Sequence, residues 1–133
     1  GLKAIKILSS EGHRVTATAI YTPMQPFLAG KAGADYAAPY VNRIDNLGAD
    51  GIATAKTIHD IFKVNGLKTE VLAASFKNSW QVLELCKYGI GAATIGADVI
   101  EGLIENASVT KAIDGFIDDF EKLCGAGKTM LDC

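Results

Sequence analysis

Three side chains at the ends of two short apolar segments have the types and positions of functional residues, and two of them could bind a phosphate. Tyr40 and Arg43 follow the apolar residues 36–39, and Ser75 ends the apolar segment 71–75. A guanidinium can hold a phosphate through two parallel hydrogen bonds, and a serine can add its hydroxyl. Tyr40, Arg43 and Ser75 are therefore the candidate binding residues.

The same residues also have simpler structural interpretations. Arg43 could be an ordinary surface arginine paired with Asp45 or Asp50. Tyr40 could be a core tyrosine whose hydroxyl finds a partner nearby, as buried tyrosines usually do. The spacing of these residues leaves both alternatives open.

Both segments belong to an alternating pattern of strands and helices. Residues rich in β-branched and small apolar side chains predict strands at 15–21, 35–41, 70–75 and 92–95. Apolar residues at helical spacing predict the helices, which lie at 2–10, at 24–31, after Asp50, after Asn78 or Ser79, at 97–105 and at 109–123. Residues 42–49 are predicted to be a polar loop, and Ser108 is predicted to cap the last helix.

This alternation predicts parallel strands joined by right-handed crossovers. The carboxyl ends of such strands are where ligand-binding groups collect, which is where the candidate residues lie. Four strands fit either a small open sheet or half of an eight-stranded barrel. A complete barrel needs about 200–250 residues, and this chain has 133.

The composition bounds the class of protein. An apolar fraction of 49% and 14 glycines predict one globular α/β domain. The net charge of −2, with acids and bases interspersed, predicts no nucleic-acid partner. No apolar run approaches the roughly 18–20 residues of a membrane span, so no membrane partner is expected. The chain starts at Gly1 without a methionine, and we expect either processing or a longer parent protein.

The cysteines and histidines show no metal-binding or disulfide pattern. Cys86, Cys124 and Cys133 are odd in number and lack a C-x-x-C spacing. That pattern argues against a disulfide framework or a zinc site and favours a reducing cytosol. Cys86 is expected in the core, because it lies in an apolar helical run. No metal site and a cytoplasmic location are therefore expected.

Three motifs resemble the fructose-6-phosphate aldolase branch of the small transaldolase family. They are Thr18-Ala19-Ile20-Tyr21, Ala38-Pro39-Tyr40-Val41-Asn42-Arg43-Ile44-Asp45 and Leu72-Ala73-Ala74-Ser75-Phe76-Lys77. The similarity is collinear from Gly1 to about Leu123. It implies a (β/α)8 barrel class I aldolase, which works through a lysine Schiff base without metal or other cofactor.

The resemblance also implies roles for individual residues. Arg43 and Ser75 would bind the phosphate of a sugar-phosphate substrate. Tyr40 and Thr18 would hold a water that relays protons. Tyr40 favours an aldolase that cleaves fructose 6-phosphate to dihydroxyacetone and glyceraldehyde 3-phosphate, because classical transaldolases usually have Phe there. A transaldolase that transfers the dihydroxyacetone unit remains an alternative, as does a catalytically silent half-barrel that binds phosphate and self-associates.

The family's Schiff-base lysine is not found in this chain. In the family it lies on the fourth barrel strand, just before the segment with which this chain starts. Lys77 follows its strand at a helix start, and Lys68 precedes its strand, so neither replaces it. The chain is therefore interpreted as strands five to eight, the C-terminal half of the barrel, and the fragment by itself is expected to be inactive.

The domain prediction follows from that interpretation. Residues 1–125 form the half-barrel with its long terminal helix at 109–123, and residues 126–133 form a mobile tail. The resemblance implies a homo-oligomer in which the terminal helix packs on a neighbouring subunit. Open strand edges need covering, so pairing with the absent N-terminal half is the other expectation.

Overall fold

Four short parallel strands alternate with helices along the chain. The computed structural model describes residues 1–133. Its elements in chain order are α1 Leu2–Ser10, β1 Thr16–Ile20, α2 Met24–Lys31, β2 Tyr36–Pro39, α3 Val41–Asn46, α4 Gly51–Val64, β3 Glu70–Ala73, α5 Ser79–Tyr88, β4 Ala92–Ala93, α6 Ala97–Ile104 and α7 Ala107–Cys124.

The strands form one sheet in the order β1-β2-β3-β4. Every neighbouring pair is parallel, with Tyr36 opposite both Thr16 and Glu70, and Leu72 opposite Ala92. The prediction of a parallel α/β fold is thereby confirmed. Strands adjacent in the sequence are also adjacent in the sheet; α2 connects β1 to β2, α3 and α4 connect β2 to β3, and α5 connects β3 to β4.

Two predicted boundaries change because of local chemistry. β2 stops at Pro39 rather than continuing to Val41, because α3 begins at Val41, and Tyr40 between them forms an isolated parallel bridge to Ala74. The predicted polar loop at 42–49 is wrong in its first half, where α3 forms. Val41 and Ile44 lie three residues apart and are 0% and 1% exposed, so burying this pair folds the segment into a helical turn.

The core of the sheet is covered by α4. Ala55, Ile58 and Phe62 recur at helical spacing and are buried together with Val71 of β3 and Leu85 of α5. Asp50 caps α4 by accepting from the Ala53 N–H at 2.8 Å. α4 therefore holds the strands that precede and follow it in one apolar layer.

Polar side chains join α4 to α5 at their outer faces. The Tyr88 hydroxyl donates to the carboxylate of Asp60 at 2.6 Å, and this hydrogen bond raises the pKa of Tyr88. Glu84 accepts from Lys87 at 2.7 Å and lies 3.4 Å from the Lys56 Nζ. The hydrogen bond from Lys87 is the main cause of the lowered pKa of Glu84.

Residues 1–100 and residues 101–133 form two compact units. In the second unit, α7 begins after Asn106, whose side chain accepts from the Ser108 N–H at 2.9 Å; the prediction that Ser108 is the cap is wrong. Its apolar stripe is exposed and consists of Val109, Ile113, Phe116, Ile117 and Leu123.

The cysteine predictions are corrected by the structure. Cys124 is disulfide-bonded to Cys133, with Cα atoms 5.5 Å apart. Gly125 and Gly127 both have positive φ, which lets the chain turn back towards the end of α7. Cys86 is exposed rather than buried, because α5 directs its neighbour Leu85 into the core.

None of the helices combines the length and the apolar character that a membrane span requires.

Gly51 occupies a position with no room for a side chain. A Cβ there would collide with the backbone carbonyl of Val41. We expect Gly51→Ala to lower the free energy of unfolding by about 1–3 kcal/mol, the usual cost of overpacking. Gly91 has open space around it, so Gly91→Ala is the matched control. Equal urea midpoints for the two variants would contradict this close packing.

Candidate active site

The predicted site residues converge at the carboxyl edge of the sheet. Thr18 lies in β1, Tyr40 directly follows β2, Arg43 lies on α3 and Ser75 follows β3 by two residues. Backbone hydrogen bonds extend the pairing beyond the strands: Tyr40 N–H donates to the Ile20 carbonyl at 3.1 Å. The structure thus brings together all four residues that the sequence pointed to.

Tyr40 is the centre of this cluster. Its hydroxyl oxygen lies 3.0 Å from the Thr18 Oγ1, within hydrogen-bond distance. Its ring meets Tyr21 edge-on at 5.8 Å between centroids, and the Arg43 guanidinium lies 4.7 Å from the ring centroid. The hydroxyl does have a partner, but Tyr40 is only half-buried, so it is not a core tyrosine.

Arg43 is exposed, and its guanidinium forms no ion pair in the structure. Asp45 instead accepts from the Gly51 N–H at 2.7 Å, and Asp50 caps α4. The alternative that Arg43 pairs with either aspartate is therefore wrong. Stacking on Tyr40 orients the guanidinium while leaving its N–H donors available.

Two residues at this edge have a strained backbone. Ser75 has φ of 61° and Ala19 has φ of 58°, in the left-handed region that non-glycine residues rarely adopt. At Ala19 the strain coincides with a shift of register between β1 and β2. Such strain persists only where surrounding contacts impose it, and it is common at functional sites.

A buried amide links α3, which carries Arg43, to the loop that carries Ser75. Gln81 is 3% exposed, and its Oε1 accepts from the Lys77 N–H at 2.8 Å. Its Nε2 donates to the Asp45 Oδ2 at 2.6 Å and approaches the Asn42 Oδ1 at 3.3 Å. Sequence reasoning missed this network.

One local signal could have drawn attention to Gln81. Asn78 and Gln81 have the three-residue spacing of a capping box, and the Asn78 side chain does accept from the Gln81 N–H at 3.0 Å. A capping box directs the glutamine back along the chain. Nothing in the local spacing indicates its further contact with Asp45, which is 36 residues away.

An apolar groove of about 500 Å³ adjoins the site along β1. Thr18 lines it together with apolar residues of α1, β1 and α2, among them Leu2, Ile5, Leu8, Ile20 and Leu28. The groove therefore continues from the Thr18–Tyr40 pair along the open side of the first strand.

No group of three or more His, Cys, Asp or Glu side chains is arranged to hold a metal ion. The polar atoms gathered at the site are hydroxyl and guanidinium groups.

Comparison with known proteins assigns this chain to a family. The profile described as Transaldolase/Fructose-6-phosphate aldolase matches residues 1–130. The chain belongs to the transaldolase/fructose-6-phosphate aldolase family. The resemblance seen in the three motifs is thereby confirmed.

Two curated relatives show how much of the protein this chain spans. It is 46% identical over 120 residues to the "Probable fructose-6-phosphate aldolase" of Streptococcus pneumoniae, covering 90% of this chain and 54% of the relative. It is 40% identical over 128 residues to a "Probable transaldolase" of Clostridium botulinum, covering 96% and 59%. The chain spans little more than half the length of the relatives it matches.

A more distant likeness concerns the fold alone. A mandelate oxidase structure superposes with a TM-score of 0.56 at 17% identity, covering 94% of this chain and 39% of that one. Identity this low carries no information on activity.

The contact between Thr18 and Tyr40 can be measured as a coupling energy. We expect a double-mutant cycle of Thr18→Val and Tyr40→Phe to give a coupling of about 0.5–1.5 kcal/mol in urea unfolding, the net worth of one hydrogen bond. Both changes keep the shape of the side chain. Strictly additive effects would show that the two hydroxyls do not interact.

Proposed function

We propose that this chain is the C-terminal half, strands five to eight, of a Schiff-base aldolase barrel that cleaves fructose 6-phosphate to dihydroxyacetone and glyceraldehyde 3-phosphate. The observation that carries the proposal is the convergence of Thr18, Tyr40, Arg43 and Ser75 at one edge of a parallel sheet. This edge is where (β/α)8 barrels build their active sites.

The topology supports a barrel over a doubly wound sheet. In a barrel every strand pairs with the strands before and after it in the sequence, whereas doubly wound sheets reverse their order. The order β1-β2-β3-β4 is sequential throughout. Four strands in little more than half the length of the relatives also suit half of an eight-stranded barrel.

Arg43 and Ser75 are proposed to bind the substrate phosphate. The guanidinium is exposed, unpaired and oriented by Tyr40, so two of its N–H groups can meet two phosphate oxygens. Ser75 adds a hydroxyl from the neighbouring loop, whose backbone the Asn42 N–H holds at 2.9 Å through the Ser75 carbonyl. Together they would anchor the phosphorylated end of the sugar.

Tyr40 and Thr18 are proposed to hold the water that moves protons. Their hydroxyls lie 3.0 Å apart, so one water can bond to both. Cleavage of the C–C bond requires a proton to leave the substrate hydroxyl next to that bond. The hydroxyl pair would position a water that takes up this proton and returns it to the carbon left electron-rich by the broken bond, so that neither hydroxyl ionises overall.

The nucleophilic lysine is proposed to lie outside these residues. A Schiff-base lysine must be desolvated to lower its pKa. No lysine of this chain lies in β1 to β4, and all are exposed except Lys56, which is half-buried and paired with Glu84. Residues 1–133 alone are therefore proposed to be inactive.

Aldolase is preferred to transaldolase because Tyr40 supplies a hydroxyl at a position where the aldolase branch also carries one. The S. pneumoniae relative is named as an aldolase and the C. botulinum relative as a transaldolase, so the names do not decide between the two reactions. A silent, self-associating half-barrel that binds phosphate is the second candidate. The open groove along β1 favours that candidate if no N-terminal half is present.

Partners and location belong to the same proposal. Exposed apolar residues on α7 would pack on a neighbouring subunit of a homo-oligomer, and the groove along β1 would be covered by the N-terminal half. Charged sugar phosphates do not cross membranes, so a cytoplasmic enzyme is proposed. In a reducing cytosol Cys124 and Cys133 would be thiols.

The phosphate role of Arg43 is tested by calorimetry with glyceraldehyde 3-phosphate. We expect Arg43→Ala to weaken binding by about 1.5–3 kcal/mol, the scale of a charged hydrogen bond. Arg14 is the matched control, since it also stacks on a tyrosine, Tyr36, but lies at the opposite end of the strands. Unchanged affinity in Arg43→Ala, or equal losses in both variants, would exclude Arg43 as the anchor.

The Schiff-base proposal is tested by trapping with dihydroxyacetone and borohydride. We expect no reduced adduct on residues 1–133, and one adduct on the preceding segment of the longer protein. An adduct within residues 1–133 would refute the placement of the lysine. If the active protein mainly transfers the dihydroxyacetone unit to erythrose 4-phosphate and releases little free dihydroxyacetone, the aldolase proposal is wrong and a transaldolase takes its place.

A further inference from the structure

We propose that Gln81 is a positioning residue, which fixes Arg43 and Ser75 at the separation that a phosphate requires. This inference rests on the proposed function, since it assigns the part that holds the phosphate site together. Gln81 itself does not point at the proposed ligand. It acts through α3, which carries Arg43, and the loop after β3, which carries Ser75.

The amide of Gln81 connects the loop after β3 with α3. Its Oε1 accepts from the Lys77 N–H at 2.8 Å, two residues beyond Ser75. Its Nε2 donates to Asp45 Oδ2 at 2.6 Å, two residues beyond Arg43. One planar group therefore spans from the segment of Ser75 to the segment of Arg43.

Three hydrogen bonds hold α3 in this connection: the one from Gln81 to Asp45 and two more. The same Nε2 lies 3.3 Å from the Asn42 Oδ1, on the other side of Arg43 from Asp45. The second carboxylate oxygen of Asp45 accepts from the Gly51 N–H at 2.7 Å. Arg43 thus lies on a helical turn whose flanking residues cannot shift without breaking these partly buried hydrogen bonds.

The loop that carries Ser75 depends on its hydrogen bond to Gln81 because the backbone of Ser75 is strained. Ser75 has φ of 61°, and its carbonyl accepts from the Asn42 N–H at 2.9 Å. Without the bond from Lys77 N–H to Gln81, the segment after Ser75 would be free to relax from the left-handed region. The hydroxyl of Ser75 would then no longer be held in one position.

The position requires an uncharged amide. One end must accept from a backbone N–H, and the other must donate to the carboxylate of Asp45. Methionine has a similar length and can do neither. Glutamate can accept but cannot donate when ionised, and it would place a second carboxylate against Asp45.

The inference is tested by the affinity of the chain for inorganic phosphate. We expect Gln81→Met to weaken binding about ten-fold, with the folded state checked by circular dichroism. Thr69→Val is the matched control, because Thr69 is the other buried polar side chain and donates to the Ala34 carbonyl at 2.7 Å, before β2 and β3 begin. It should lose stability and keep its phosphate affinity.

A second variant separates positioning from a loss of folding. In Gln81→Glu the new carboxylate and that of Asp45 share a proton at low pH, which restores a donor to Asp45. Asp45 is the titratable side chain in contact with the amide. The phosphate affinity of this variant, relative to the unsubstituted chain at the same pH, should therefore recover as the pH falls.

The outcomes distinguish this inference from the function on which it rests. Phosphate binding that is lost in Arg43→Ala and retained in Gln81→Met overturns the role of Gln81 and leaves the proposed function standing. Equal losses of affinity in Gln81→Met and Thr69→Val also overturn it, because they show a general effect of destabilisation. If the unsubstituted chain binds no phosphate, both the site and its positioning residue are refuted.

Discussion

The carboxylate of Asp45 is the contact on which the geometry of this site depends. One oxygen accepts from the first N–H of α4, and the other accepts from Gln81 at the start of α5. α3, α4 and α5 are therefore joined at a single half-buried side chain. Because each carboxylate oxygen is bonded to a different helix, the arrangement is fixed as a unit, and Arg43 is carried on it.

The scaffold and the site are stabilised by different interactions. α4 and the strands are held by apolar burial, centred on residues such as Ile58 and Phe62. At the carboxyl edge, hydrogen bonds and strained backbone replace apolar contacts, as at Ser75 and Ala19. The apolar layer supplies the stability that permits this strain, which in turn directs hydroxyl groups to the open end of the sheet.

Arg43 is suited to binding an anion because it has no paired carboxylate and because its guanidinium stacks on the ring of Tyr40. No carboxylate neutralises it, since Asp45 and Asp50 are both engaged by backbone N–H groups. The ring of Tyr40 limits its motion without using its donors. An anion would thus meet a charge that is already oriented, and less side-chain entropy would be lost on binding.

The sequence by itself determined the order of strands and helices, the parallel sheet, the family and the group Thr18, Tyr40, Arg43 and Ser75. The order and the sheet depend on local periodicity and on the alternation of strands and helices. The family and Thr18 depend on the resemblance of the three motifs, whereas Tyr40, Arg43 and Ser75 also follow from the rule that parallel strands end at one edge. Tertiary structure decided the helical turn of α3, the pairing of Cys124 with Cys133 and the network of Gln81. The contacts of Gln81 join residues 36 and 39 apart, and no local pattern encodes which distant carboxylate a buried amide will meet.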